Sequence, residues 1–249
     1  MLSQTQKTQL RDDGFVVVPG VVPRLMVDRA LHAINASVGE GMNRDEMEIL
    51  RAQSFCPELR EQPIIRDLFG KTPLFDIAES LLGKDNAKYG RGQIALRFPL
   101  HQDPPRAPGW HIDGVPTATN GVTPGGLDSF TMLVAVLLSD LPQENMGNFS
   151  VWPRSHRVLE EFFQQRSFDD FQQESRQLDL GTPQQITGKA GDVVICHYQM
   201  AHGIAPNTSP FVRYAVFFRV KHPQHNEQKP QQLSNLWLEW PGIDGGTAQ

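Results

Sequence analysis

The run Gly191-Asp-Val-Val-Ile-Cys196-His-Tyr-Gln-Met-Ala-His202-Gly-Ile-Ala-Pro206-Asn-Thr-Ser-Pro210-Phe-Val-Arg213-Tyr214 decides how this chain is read. An apolar strand leads to Cys196, a turn signal fills 206–210, and a second strand follows. In the second strand Arg213, Ala215 and Phe217 share one face, while Tyr214, Val216 and Phe218 share the other. Both faces are largely apolar, so the strand is expected to be buried on both sides. An arginine there is costly to bury without an anion beside it. Its planar fork matches a carboxylate in bidentate geometry, and a dicarboxylate co-substrate would supply one.

Outward from this run, residues 92–98, 130–138, 148–152, 192–196 and 212–220 read as short strands separated by turn signals. A helix over 3–12 is capped by Ser3, and a second runs over 23–38 with Leu25, Val27, Ala30, Leu31 and Ile34 near helical spacing. A third spans 73–82 between Pro73 and Gly83, and 156–175 is also expected to be helical. The pattern predicts a mainly β protein, a sandwich or barrel with helices buttressing one face. No composition break divides it into two domains.

The second chemical word is Trp110-His111-Ile112-Asp113-Gly114. In extended backbone residues i and i+2 project the same way, so His111 and Asp113 point together. An imidazole and a carboxylate on one face are two-thirds of the facial triad that holds iron(II). By itself the pair reads equally well as a hydrogen-bonded loop pair. His101-Gln102-Asp103 repeats the pattern ten residues upstream, but Pro104-Pro105 follows it and interrupts any ladder. His111 and Asp113 are therefore the preferred pair, with Trp110 as a wall of the site. His202 supplies the third donor; His197, five residues earlier, competes for that role.

These words together with their neighbours, DGFVVVPGVV from Asp13, WHIDG, NFSVWPRSH and the long run quoted first, resemble the phytanoyl-CoA dioxygenase family of iron(II), 2-oxoglutarate-dependent oxygenases. The resemblance runs from about Asp13 to Val220. It implies a double-stranded β-helix, the jelly-roll or cupin-like barrel, as one domain over 1–249. The helical part would be 1–87, the barrel core 88–221 and a C-terminal extension 222–249. It places His111, Asp113 and His202 on iron, Arg213 on the distal carboxylate of 2-oxoglutarate, and Gln93 as a further polar contact to that co-substrate. The implied reaction is oxidation, chiefly hydroxylation, of a small-molecule metabolite of the secondary-metabolism kind. It consumes O2 and 2-oxoglutarate and releases succinate and carbon dioxide. Related halogenases replace the carboxylate ligand by a small residue, so Asp113 favours hydroxylation. The family word PGSH has become Pro153-Arg154-Ser155-His156 here, which reshapes that turn or brings Arg154 to the substrate. The rival readings are a cupin-like metal-binding protein without turnover and a zinc hydrolase with the same ligands.

Composition bounds the rest. Of 249 residues, 39% are hydrophobic and 20% charged, with a net charge of -5 and a pI near 5.9. That balance argues against nucleic acid and anionic membrane as partners. Two cysteines, Cys56 and Cys196, make no disulfide framework. No signal-peptide pattern or membrane-length apolar run is present, so a cytoplasmic protein is expected. Arg91, Arg97 and Arg106 fall near the proposed mouth, as solvated charge or as a grip on an acidic substrate. The segment 233–241, rich in Trp and Leu, either packs on the barrel or forms a homodimer contact.

Overall fold

The computed structural model describes residues 1–100 and 103–244. The chain begins with α1 (Gln4–Asp13), where Ser3 and Gln6 form a reciprocal capping box. Gly14, at φ 83°, stops the helix; a Cβ there would lie 2.3 Å from Met200 Cε. Next come β1 (Phe15–Val18), α2 (Arg24–Gly39), α3 (Met47–Ala52), α4 (Pro63–Gly70) and α5 (Pro73–Leu82). Pro63 and Pro73 occupy first-turn positions, where a missing N–H costs nothing. Then follow β2 (Lys88–Arg97), β3 (Met132–Leu137), β4 (Phe149–Val151), α6 (Ser155–Gln165) and α7 (Phe168–Glu174). The remaining elements are β5 (Gln184–Gln185), β6 (Val193–His197), β7 (His202–Ile204), β8 (Arg213–Lys221) and α8 (His225–Leu233).

Five strands form one antiparallel sheet in the order β1-β6-β3-β8-β2, and three form a second in the order β5-β4-β7. Every residue of β3 is buried, as befits the middle strand of a sheet covered on both faces. Val134, Val136, Ile195, Val216 and Phe218 face the helical layer, against Ile34, Leu68 and Phe69. Leu133, Ala135, Val194, Ala215 and Phe217 face the small sheet, against Phe149 and Val151. Each large apolar side chain fully buried in these layers contributes about 1.5–3 kcal/mol.

The closed jelly-roll barrel expected from the sequence does not form. Both sheets are open: β1 and β2 are the outer strands of the large one and β5 and β7 of the small one, with only single bridges among the described residues, Phe55 to Ile94 and His111 to His202, beyond β2 and β7. Closure needs a continuous, staggered ladder all the way round. The small sheet has strands of only two or three residues, and around it lie isolated bridges such as Leu141 with Gly188 and Met146 with Asn207. Alternating apolar faces suit two packed open sheets as well as a barrel, so the pattern did not separate them. The flanking helices, in contrast, are where they were expected, with α3, α4 and α8 additional to those read individually.

Cys56 and Cys196 are free and buried. The C-terminal segment packs down, with Leu236 and Trp240 buried and Leu238 exposed. Among the described residues no helix is long and apolar enough to cross a membrane.

Candidate active site

His111 and His202 are brought together by the edge of the small sheet. Their backbones form an antiparallel bridge, each N–H donating to the other's carbonyl at 2.9 Å. Cross-strand partners stand side by side, and the ring centroids lie 4.4 Å apart. Three residues beyond His111 the chain turns at Gly114, where φ is 81° and a Cβ would strike the Asp128 carbonyl. This leaves Asp113 on the same side as His111, and its own carbonyl accepts from the Tyr198 hydroxyl at 3.0 Å. Asp113 Oδ1 is 3.5 Å from Nε2 of both histidines.

The three donor atoms lie within 4.8 Å of one another, a set that could hold a metal ion. His202 Nδ1 is 2.9 Å from the Met200 carbonyl, so that nitrogen carries the proton and Nε2 keeps its lone pair for a metal. His202 and Asp113 are nearly buried, whereas the His111 side chain is 56% exposed and forms the open side. His197 takes no part: Nε2 donates to the Leu236 carbonyl, well away from the triad.

Asp113 has a partner that the sequence reading missed. Arg219 donates to Asp113 Oδ2 from Nε at 2.9 Å and from Nη2 at 2.7 Å. Burial works to raise the Asp113 pKa, but Arg219 and the two imidazoles outweigh it, and the carboxyl lies well below the usual range. The signal was available in part. Extending the Arg213, Ala215, Phe217 face by one step reaches Arg219.

Arg213 is buried. Its Nε donates to the Gly147 carbonyl at 2.7 Å and its Nη1 to the Ala95 carbonyl at 3.0 Å. Nη2 has no partner among the described residues. Burial, with help from nearby Arg97, pushes its pKa down to about 9. A buried cation with an orphan donor and only neutral partners is the expected counterpart of an anion.

A cleft of about 700 Å³ opens beside the triad. Trp110, Phe149, Phe171 and Phe217 supply its apolar wall, and Gln93 and Ala95 lie along it. Gln93 donates to the Ala52 carbonyl at 3.2 Å. Arg213 is not one of the lining residues; it donates to the Ala95 carbonyl and stands directly opposite Arg97 in the ladder. Of the three arginines expected near the mouth only Arg97 lines the cleft, while Arg91 and Arg106 are exposed elsewhere. His101 lies outside the described residues.

The family model described as phytanoyl-CoA dioxygenase (PhyH) matches residues 10–215. The chain belongs to the phytanoyl-CoA dioxygenase family. Among curated proteins, ectoine dioxygenase of Nocardia farcinica (strain IFM 10152) is 26% identical over 174 residues. That match covers 61% of this chain and 53% of the relative, so it spans about half the relative's length. A solved structure of the non-heme alpha ketoglutarate dependent carbocyclase SnoK from nogalamycin biosynthesis is similar, with TM-score 0.58 and 19% identity. The similarity covers 92% of this chain and 90% of that one. The apoform of EctD from S. alaskensis gives TM-score 0.58 and 19% identity, covering 89% and 77% of the two chains. At such identities the likeness is one of fold.

In this member of the phytanoyl-CoA dioxygenase family Arg154 has a φ of 68°, the left-handed region that glycine adopts freely. Its guanidinium faces Asp13 at 3.6 Å, and Arg154 is not among the residues that line the cleft.

Proposed function

We propose that this protein is a non-haem iron(II), 2-oxoglutarate-dependent oxygenase that hydroxylates a small molecule in the 700 Å³ cleft. The carrying observation is the convergence of two imidazole Nε2 atoms and a single oxygen of Asp113. Two histidines and one carboxylate on one side suit iron(II) and leave other metal positions open. In this reading His111, Asp113 and His202 hold the metal. Arg213 receives the distal carboxylate of 2-oxoglutarate, supported by its buried, unpartnered Nη2. Gln93, tied to α3 through Ala52, lines the wall along which that co-substrate lies. When bound, iron and 2-oxoglutarate supply the oxidation, with succinate and carbon dioxide as products.

The chain's own contribution is orientation and shielding. The His202 proton is fixed on Nδ1 by Met200, and Asp113 is turned by Arg219 so that Oδ1 faces the imidazoles. The aromatic wall keeps water from the reacting carbon. A metal-binding protein without turnover and a zinc hydrolase have no use for a buried, unpaired arginine at this place.

Anaerobic iron(II) protein titrated with 2-oxoglutarate should develop a visible metal-to-ligand charge-transfer band. His111→Ala should abolish the band. Arg213→Leu should raise the half-saturating 2-oxoglutarate at least tenfold, the cost of losing a charge-assisted pair. An iron-loaded, folded wild type with no band would sink the oxygenase reading and favour the zinc hydrolase.

A further inference from the structure

The cleft carries more positive charge than iron and its co-substrate can use. Arg51, Arg97, Arg176 and Arg219 line it, against only Glu48 and Asp113. On the oxygenase reading, iron(II), Asp113, the dianionic co-substrate and Arg213 cancel. Arg219 stays on Asp113, and Glu48 is the one further acid of the lining to set against Arg51, Arg97 and Arg176. Among the described residues no carboxylate lies within 4.0 Å of Arg51, Arg97 or Arg176. The chain as a whole has a net charge of -5, so this is a local concentration of one sign and not a general surplus.

Arg97 is the informative member. It is partly buried, and the one hydrogen bond of its guanidinium among the described residues goes to the Leu96 carbonyl at 3.4 Å. Arg97 and Arg51 line the same cleft, and burial first and the charge of Arg51 second lower the Arg97 pKa. Arg51 is presented by α3, with Glu48 one turn before it but not paired with it. A ligand that fills the cleft strips water from Arg97, and that is costly unless the ligand brings negative charge.

We infer that the primary substrate is an anion whose carboxylate or phosphate is held by Arg97 and Arg51, with its carbon skeleton against Trp110, Phe149, Phe171 and Phe217. The inference rests on the oxygenase reading for the place of the co-substrate, and it adds the class of molecule that is oxidised. Arg97 and Arg51 act here as specificity-determining residues. The same chemistry has a second source, because 2-oxoglutarate also carries carboxylates and Arg97 is the direct cross-strand partner of Arg213. The test separates the two.

Phenylacetate, phenyl phosphate and neutral phenylacetamide would be titrated calorimetrically into anaerobic iron(II) protein saturated with 2-oxoglutarate. The same preparations would be titrated with 2-oxoglutarate by the charge-transfer band. Wild type should bind both anions about tenfold more tightly than the amide, the scale of one charge-assisted pair. Arg51→Gln and Arg97→Gln should each shrink that preference and together erase it, with half-saturation by 2-oxoglutarate unchanged. Should Arg97→Gln fail to fold, Arg51→Gln carries the same test. The proposal is overturned if wild type shows no preference, binding none of the three included, or if the preference survives both substitutions. It is equally overturned if both variants need as much 2-oxoglutarate as Arg213→Leu, since the arginines would then serve the co-substrate. A missing band beside an intact anion preference would count against the oxygenase reading alone.

Discussion

At the scale of single residues, the site divides into what is local in sequence and what is not. The approach of His111 and Asp113 was legible because their spacing is two, and the burial of Arg213 because its strand is apolar on both faces. Arg219 was not legible as a partner, since Asp113 lies 106 residues before it and only the fold brings them together. Its geometry argues a definite role. Both of its contacts go to Oδ2, which leaves Oδ1 alone toward the two imidazoles, so Asp113 offers a metal one oxygen and not two. Arg219→Leu should therefore weaken iron(II) binding by about 10–100-fold, the range for losing the group that orients a ligand. Competition against a chromogenic chelator under anaerobic conditions measures it. Arg219→Lys should restore part of the affinity, because a point charge replaces the fork without its directionality. Equal affinity in wild type and Arg219→Leu would remove Arg219 from the metal site.

At the scale of elements, the strands and the larger helices followed from periodicity and caps, while their closure did not. Apolar alternation specifies which face of a strand is buried, but not how far a ladder continues beyond it. The shortness of β4, β5 and β7 is set by turns such as the one at Gly147, where φ is 76° and a Cβ would sit 2.8 Å from that of Arg97. One glycine of the small sheet bears directly on the site. Gly203 follows His202 in β7, and a Cβ there would lie 2.0 Å from the Gly109 carbonyl. Gly203→Ala should push the 109–111 segment off β7 and separate the two imidazoles. Iron(II) affinity should fall at least tenfold while far-ultraviolet circular dichroism stays unchanged. The C-terminal extension is held by a buried network that no sequence pattern announced. His225 bridges Ser129 at 2.9 Å and Glu239 at 3.0 Å, and Glu239 also accepts from Thr131 and Gln232. Glu239→Ala strands two buried partners, Thr131 and His225, and the half-buried Gln232, and should cost about 2–4 kcal/mol in urea unfolding. A loss under 1 kcal/mol would mean that the extension is held by Leu236 and Trp240 alone.

At the scale of the whole molecule, two buried histidines outside the cleft tie stability to pH. His197 is satisfied as a neutral ring, with Nε2 donating to the Leu236 carbonyl and Nδ1 accepting from the Gln199 N–H. A second proton on Nδ1 would break that bond. Burial, and then the proximity of His156, push its pKa down to about 3. His156 donates to the Arg11 carbonyl from Nε2, and burial pushes it down to about 4. In the unfolded chain both return to about 6.5. Below pH 6.5 the unfolded state therefore binds protons that the folded state refuses, and stability falls with falling pH until the folded values are reached. Each histidine contributes a slope of up to about 1.4 kcal/mol per pH unit. Together they should lower the unfolding free energy by about 4 kcal/mol between pH 7 and pH 5. Asp113 does not add to this window, because its folded carboxyl stays charged throughout it and the unfolded one takes up protons only at about pH 4. His156→Leu removes one of the two protons and fills the same apolar space against Trp237. Urea unfolding of that variant should show about half the wild-type loss between pH 7 and pH 5. An undiminished loss would assign the acid sensitivity to groups other than this pair.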